Sequence, residues 1–173
     1  MSHKDYLSDV RWKQVVWNSA EYALTVALRY QLLRMGLGLY FSAGELESEH
    51  DAVHLAGFND LGQVVACLFM VLPVGTAHAE TEGPGTSEGI PHVRLRQVCV
   101  REDCQGQGLG RALVDFAEQY LRRETSIRKV VLHARQTVVP FYSGLNYFPE
   151  GDPFEEVGIL HQRMAKSILT SMP

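Results

Sequence analysis

Cysteine is scarce in this chain: Cys67, Cys99 and Cys104 are an odd number with no CxxC spacing. That pattern offers no disulfide framework, and the apolar neighbours of two of the three predict buried free thiols in a reducing cytosol. Long hydrophobic runs are missing too. No stretch approaches the ~20 apolar residues needed to cross a bilayer, and the opening "MSHKDYLSDVRWK" lacks the unbroken apolar core of a signal peptide. The expectation is a cytoplasmic protein with no membrane partner. Nor does either sign of charge dominate. Sixteen Lys and Arg against 20 Asp and Glu leave a formal charge of −4 and a pI near 6.0, which exerts no global pull on nucleic acid. No basic patch is evident, and no repeat or low-complexity tract interrupts the chain.

What is present is an ordinary globular composition. With 173 residues, 46% hydrophobic and 21% charged, the chain is long enough to bury a full core and of the size of one domain, taken here as residues 1–173. Strand-like alternation and helical periodicity follow one another along it. "KQVVWN" (13–18) predicts a first strand. Ser19 is a candidate N-cap for a helix through "AEYALTVALRYQLLRM", with Leu24, Ala27, Leu28, Leu32 and Met35 on one face and Gly36 or Gly38 ending it. "HLAGF" (54–58) and "VVACLFMVL" (64–72) predict two strands joined by the turn "NDLG". Residues 73–92, rich in Gly, Pro, Ser, Thr and Glu, predict a long exposed loop, which at that length usually has a function or is disordered.

A β–α–β unit follows. "VRLRQVCV" (93–100) is a strand, "LGRALVDFAEQYLRRE" (109–124) a helix and "KVVLHA" (129–134) a strand. The helix is amphipathic, with Leu109, Leu113, Phe116, Ala117 and Tyr120 opposite Arg111, Asp115, Glu118 and Arg122. "TVVPFYSG" predicts a short helix with Thr137 as N-cap, Pro140 in the first turn and Gly144 as stop. A last strand spans "GILHQRMAK" (158–166).

Between the first strand and the helix of that unit lies "QGQGLGR" (105–111). Glycines at 106, 108 and 110 remove side chains, so main-chain N–H groups at a helix start can approach a ligand, and the helix dipole there favours an anion. The ligand should carry phosphate. A dinucleotide fingerprint would need glycine at 111, where Arg stands, and an acidic residue on the next strand, which "KVVLHA" lacks. A P-loop would need a Lys that is absent. A third pattern, Gln/Arg-x-x-Gly-x-Gly/Ala, is satisfied at every position by Gln105, Gly106, Gln107, Gly108, Leu109 and Gly110.

That segment resembles the acyl-CoA signature of the GCN5-related N-acetyltransferases. The resemblance extends through "LRQVCVREDCQGQGLGRALVDFAE" and "FYSGLNYFPEG", and the order of elements matches over most of the chain. The amino-terminal helix and the ending "GILHQRMAK" look more specifically like the ElaA-type branch. The resemblance implies a mixed α/β fold with a central, mostly antiparallel sheet, flanking helices, and one parallel pair, the strands at 93–100 and 129–134, that splays apart. It implies acetyl-CoA as cosubstrate, no metal, and an amine acceptor, either a small molecule or a peptide. Residue by residue, Val98, Cys99 and Val100 would offer main-chain groups to the pantetheine arm and thioester. The pyrophosphate would lie against the amides of Gln105, Gly106, Gln107, Gly108, Leu109, Gly110 and Arg111. Many relatives dimerise, which leaves a homodimer as an open expectation.

Tyr142, in "VPFYSG", matches the family's acid that protonates the departing CoA thiolate. A phenol with pKa about 10 stays protonated at neutral pH and can donate to a thiolate whose acid lies near about 8.5. The alternative is a Tyr that only lines the core beside Phe141. Where the family usually has Gly-Phe, this chain has Asn146-Tyr147, and Asn tolerates the left-handed turn. The base is less defined. Positions that carry it in some relatives hold Arg94 and Arg96, leaving Glu88, His92 and His133 as substitutes. Two cues bear on the acceptor: the acidic run "GELESEHD" (44–51) would attract a cation, whereas Arg94 and Arg96, two apart on one strand, would grip a carboxylate. Enzyme and non-catalytic acyl-CoA sensor both remain open at this point.

Overall fold

The computed structural model describes residues 9–73 and 91–168. Within them the chain divides into two compact units. The first takes the residues through Val71 together with Gln97–Gln119; the second takes Leu72–Arg96 and the residues from Tyr120 onward.

In the first unit, β1 (Arg11–Val15), β2 (Val53–Phe58) and β3 (Val64–Val71) form an antiparallel meander. β1 is shifted from the expected 13–18. Its residues past Val15 turn instead, with Asn18 at φ 59 and the Ser19 N–H donating to the Val16 carbonyl, and that turn frees Ser19 to cap the next helix. The Ser19 hydroxyl accepts from the Tyr22 N–H at 3.1 Å, as expected. The β2–β3 turn also follows the sequence. Asn59 Oδ1 accepts from the Leu61 and Gln63 amides at 3.1 and 2.9 Å, and Gly62 takes φ 72.

α1 (Ala20–Arg29) is shorter than expected. It widens into a π turn over Tyr30–Arg34, tightens into a 3₁₀ turn over Met35–Leu37 and ends at Gly38, which is left-handed at φ 67. Its buried face is Tyr22, Thr25, Leu28 and Arg29, whereas Leu24 and Met35 are exposed. The reason lies in α2 (Ala43–Glu47), a short helix with a Ser42–Glu45 capping box. Just past its end Glu49 is buried against α1, where Arg29 grips it through both oxygens at 3.0 and 2.9 Å and the Tyr22 hydroxyl donates at 2.8 Å. The guanidinium carbon lies 5.8, 5.3 and 5.2 Å from the rings of Tyr22, Phe41 and Phe69. A charged pair thus turns the helix, where apolar counting would have turned it otherwise.

Trp12 stands opposite Gly57 across the β1–β2 ladder. A Cβ at Gly57 would lie 2.7 Å from Val10 Cγ1 and 2.8 Å from Trp12 Cζ3. Replacing Gly57 with alanine should therefore cost about 1–3 kcal/mol through forced displacement of the indole, read as a lower urea midpoint at unchanged slope.

α3 (Leu109–Glu124) agrees with its expected bounds. Its buried arc is broader than expected, since Val114 and Leu121 join Leu109, Leu113 and Ala117, and Glu118, assigned to the solvent side, is only 2% exposed. β4 (His92–Val100), whose first five residues belong to the second unit, begins in parallel with β5 (Lys129–Arg135), and β5 pairs antiparallel with β8 (Ile159–Ser167) along its whole length. Two further strands, β6 (Phe148–Pro149) and β7 (Phe154–Glu156), add to β8 antiparallel. The architecture is the expected mixed α/β one: among the described residues β4–β5 is the parallel pair, and the other described pairings are antiparallel. α4 (Val139–Ser143) follows β5, but its cap position is Val138, with Thr137 drawn into a preceding 3₁₀ turn over Gln136–Val138. Asn146 is left-handed at φ 64, so the turn before Tyr147 is kept.

Candidate active site

The parallel ladder covers only His92–Leu95 against Lys129–Leu132. Two residues later Gln97 takes φ 49, a left-handed conformation that costs a non-glycine residue of order 1 kcal/mol and breaks the extended run of the strand. Beyond it Cys99 is buried in an apolar cluster with Val15, Tyr22 and Leu28, whereas Val98 and Val100 are half-buried. The Gln97 side-chain carbonyl is buried with no hydrogen-bond donor among the described residues. An orphaned acceptor of that kind costs about 1–3 kcal/mol until something supplies an N–H.

The glycine loop is built by its own side chains. Arg101 donates to Asp103 at 2.6 Å and to the Gln63 side chain at 3.1 Å, bracing the β2–β3 turn. A 3₁₀ turn over Glu102–Cys104 follows. The Gln105 amide then donates to the Val100 carbonyl at 2.9 Å and the Gln107 amide to the Asp103 carbonyl at 3.0 Å. With those carbonyls tied down, Gly106 at φ 72 and Gly108 at φ 84 carry the chain into α3. The first turn closes with Ala112 N–H to Gly108 O at 3.0 Å, so the amides just before it are the ones that a helix leaves without an internal partner. A Cβ on Gly106 would meet nothing within 4 Å. The Gln107 side-chain oxygen is a second buried acceptor without a donor among the described residues. Bare glycines, helix-start amides and two orphaned acceptors fit an elongated ligand that has both phosphate and amide groups.

In the second unit a polar cluster spans β4, β5 and β7. Arg94 Nη2 lies 2.7 Å from His133 Nδ1, and Glu156 Oε2 lies 3.0 Å from the same nitrogen. The hydrogen bond from His133 is the chief reason the Glu156 carboxyl is held down at about 2; burial opposes this, and the charges of His133, Arg94 and His161 reinforce it. Glu156 is therefore a carboxylate throughout the neutral range. The Phe154 ring meets His133 edge-on at 4.7 Å. Tyr142, on α4, is 7% exposed, with its ring edge-on to Phe141 and Tyr147 at 4.9 and 5.9 Å.

The residues singled out in the sequence divide accordingly. Gln97 through Arg111 form one local arrangement in the first unit; Tyr142 and His133 belong to the second. Glu88 lies outside the described residues. His92 begins β4, six residues before Val98 in the chain. The acidic run 44–51 is partly consumed by the fold, since Glu45 caps α2 and pairs with Arg34 at 3.0 Å while Glu49 holds Arg29. Arg94 faces a carboxylate of the chain itself. Cys67, Cys99 and Cys104 are free and buried. Sequence reasoning missed Gln97, whose signal is conformational, and Glu156, which sits on a three-residue strand too short to show a period.

Residues 74–168, more than half of the chain, match the family model described as an acetyltransferase (GNAT) domain. The chain belongs to this acetyltransferase family. A Bacillus subtilis (strain 168) protein bearing an acetyltransferase name is 30% identical over 96 residues, 55% of this chain. The match spans 59% of that relative's own length, under two thirds of it. Among solved structures, an acyl-CoA N-acyltransferase from Pseudomonas aeruginosa superimposes with a TM-score of 0.71 at 23% identity, covering 91% of this chain and 99% of that one. Escherichia coli ElaA gives 0.67 at 18%, over 91% and 99%. Arabidopsis thaliana NAA60, in complex with acetyl-CoA, gives 0.67 at 12%, over 92% and 98%. At such identities the likeness is one of fold. Among the described residues no helix is long and apolar enough to cross a membrane.

Proposed function

We propose that the chain is an acetyl-CoA-dependent N-acetyltransferase that acts as one domain over residues 1–173 and acetylates a primary amine of a small molecule or peptide by direct attack on the thioester. One observation carries the reading: β4 leaves its parallel ladder after Leu95, turns left-handed at Gln97 and runs on through the short turn at Glu102–Cys104 into a glycine loop that opens a long helix. Past the ladder's end, the pantetheine arm takes the place of a paired strand along Val98–Val100, a form of β-type pairing of a ligand with main-chain groups. Its amide N–H groups supply the donors that Gln97 lacks. The pyrophosphate takes the amides of Gln105–Arg111 and the positive end of the α3 dipole. The chain's contribution to rate is positioning and main-chain polarisation of the thioester carbonyl, with Tyr142 protonating the leaving sulfur.

The test is acetyl-CoA binding by calorimetry, followed by thiol release with a panel of amines, amino acids and peptides. Amine-dependent release of CoA supports the transferase; binding without release from any acceptor supports an acyl-CoA sensor; no binding overturns both. Replacing Tyr142 with phenylalanine should lower kcat by about 10²-fold or more while leaving acetyl-CoA affinity within a factor of two or so, because the phenol acts on the departing thiolate and not on the bound thioester. Equal turnover in both proteins would assign Tyr142 to packing against Tyr147.

A further inference from the structure

Proton transfer from the acceptor amine is the step that the sequence leaves without an owner. His133 is the first β5 residue beyond the parallel ladder, whose last pair is Leu95 with Leu132, and its side chain keeps 16% exposure. One of its nitrogens is already engaged. Both Glu156 and Arg94 approach Nδ1, at 3.0 and 2.7 Å, and they make opposite demands on it. A carboxylate can only accept, so it requires a hydrogen on Nδ1; a guanidinium can only donate, so it requires Nδ1 bare. A neutral imidazole satisfies one of them at a time. With Nδ1–H given to Glu156, Nε2 is bare and can take a proton. With Nδ1 accepting from Arg94, Nε2 carries the hydrogen and cannot.

We infer that His133 Nε2 is the general base of the transfer and that Glu156 is its positioning residue, selecting the competent tautomer against Arg94. The inference rests on the acetyltransferase reading above and adds to it the owner of the proton. An ammonium acceptor loses two protons on becoming an amide. His133 takes one and passes it to solvent, the C–N bond forms as the C–S bond breaks, and the other replaces the proton that Tyr142 gives to sulfur. Three features support the assignment. Arg94 has Glu156 within 3.9 Å as an alternative partner, so the carboxylate can hold both groups with the imidazole turned to the active tautomer. Phe154, on the same short strand as Glu156, meets the imidazole edge-on and fixes the ring plane. Two further neighbours have partners of their own: His161 Nδ1 bonds the Ile159 carbonyl at 2.8 Å, and Arg163, opposite His133 in the ladder, bonds Glu150 at 3.2 Å.

The experiment combines steady-state kinetics on the full chain with ¹⁵N NMR of the histidine side chains, His133 being assigned by its loss in His133→Gln. The wild type should show the Nδ1–H tautomer at His133. His133→Gln should lower kcat by about 10²–10⁴-fold with little change in the KM for acetyl-CoA. Glu156→Ala should show the Nε2–H tautomer and a comparable fall in kcat. Arg94→Ala added to Glu156→Ala should return part of the lost rate, because the competitor for Nδ1 is gone; a merely structural carboxylate would give further loss. Turnover that survives His133→Gln, or an Nε2–H tautomer in the wild type, overturns the inference and leaves the transferase reading standing. If the wild type acetylates no amine, the functional reading fails, and the claim of a base fails with it.

Discussion

Replacing Glu49 with alanine should destabilise the fold by about 3–5 kcal/mol. The side chains of Arg29 and Glu49 are 1% and 6% exposed, so the pair is out of water and the usual discount for a surface ion pair does not apply. Alanine would leave a guanidinium buried among three aromatic rings, with the Tyr22 hydroxyl also deprived of its acceptor. Burial, followed by the hydrogen bond to Glu49, pushes the Tyr22 phenol up to about 12, so that hydroxyl stays a donor at any working pH. The cost is that of stranding a charge, not the net worth of the pair. Replacing both partners, with Arg29→Met and Glu49→Leu together, should therefore recover most of the stability. Chemical unfolding of both single variants and the double variant reads the difference. A Glu49→Ala protein as stable as the wild type would show that Arg29 escapes to water.

The second large effect concerns the loop. Valine at Gly106 should lower acetyl-CoA affinity by about 10²-fold or more while lowering fold stability by only about 1–2 kcal/mol. The two readouts separate because of what surrounds the position. A Cβ at this position meets nothing within 4 Å, so the stability loss comes chiefly from the φ of 72. That open space is where the pyrophosphate is proposed to lie, and a branched side chain would hold it off the amides. Calorimetry with acetyl-CoA and a denaturant series on the same preparation give both numbers. Undiminished affinity in a folded Gly106→Val protein would remove the phosphate from this loop.

The fold was largely legible because its punctuation is local. Ser19, the Asn59–Gly62 turn, the glycine loop and the bounds of α3 each follow from residues whose conformational preferences act over three or four positions. What escaped was set at a distance. The inward face of α1 is chosen by Arg29, whose partner lies 20 residues away, so a pattern that counted Leu24 and Met35 as core pointed the wrong way. Thr137 failed as a cap because a 3₁₀ turn absorbed it. The site divides the same way. Glycines announce the loop, whereas Gln97 matters for a backbone angle that glutamine rarely adopts and Glu156 for a neighbour 23 residues earlier. Neither has a signature that one sequence can display.

The chain has two tryptophans, and both fall in the same unit: Trp12 lies over Gly57 and packs on Phe116, and Trp17 donates its indole N–H to the Leu46 carbonyl at 3.0 Å. Indole emission is therefore a spectroscopic window on the β1–β3 meander and the helix that carries the glycine loop. It is blind to the strands that bear His133 and Glu156. Backbone ellipticity averages over every helix and strand, so a melting curve followed by it departs from one followed by indole emission only where the second unit unfolds at a temperature of its own.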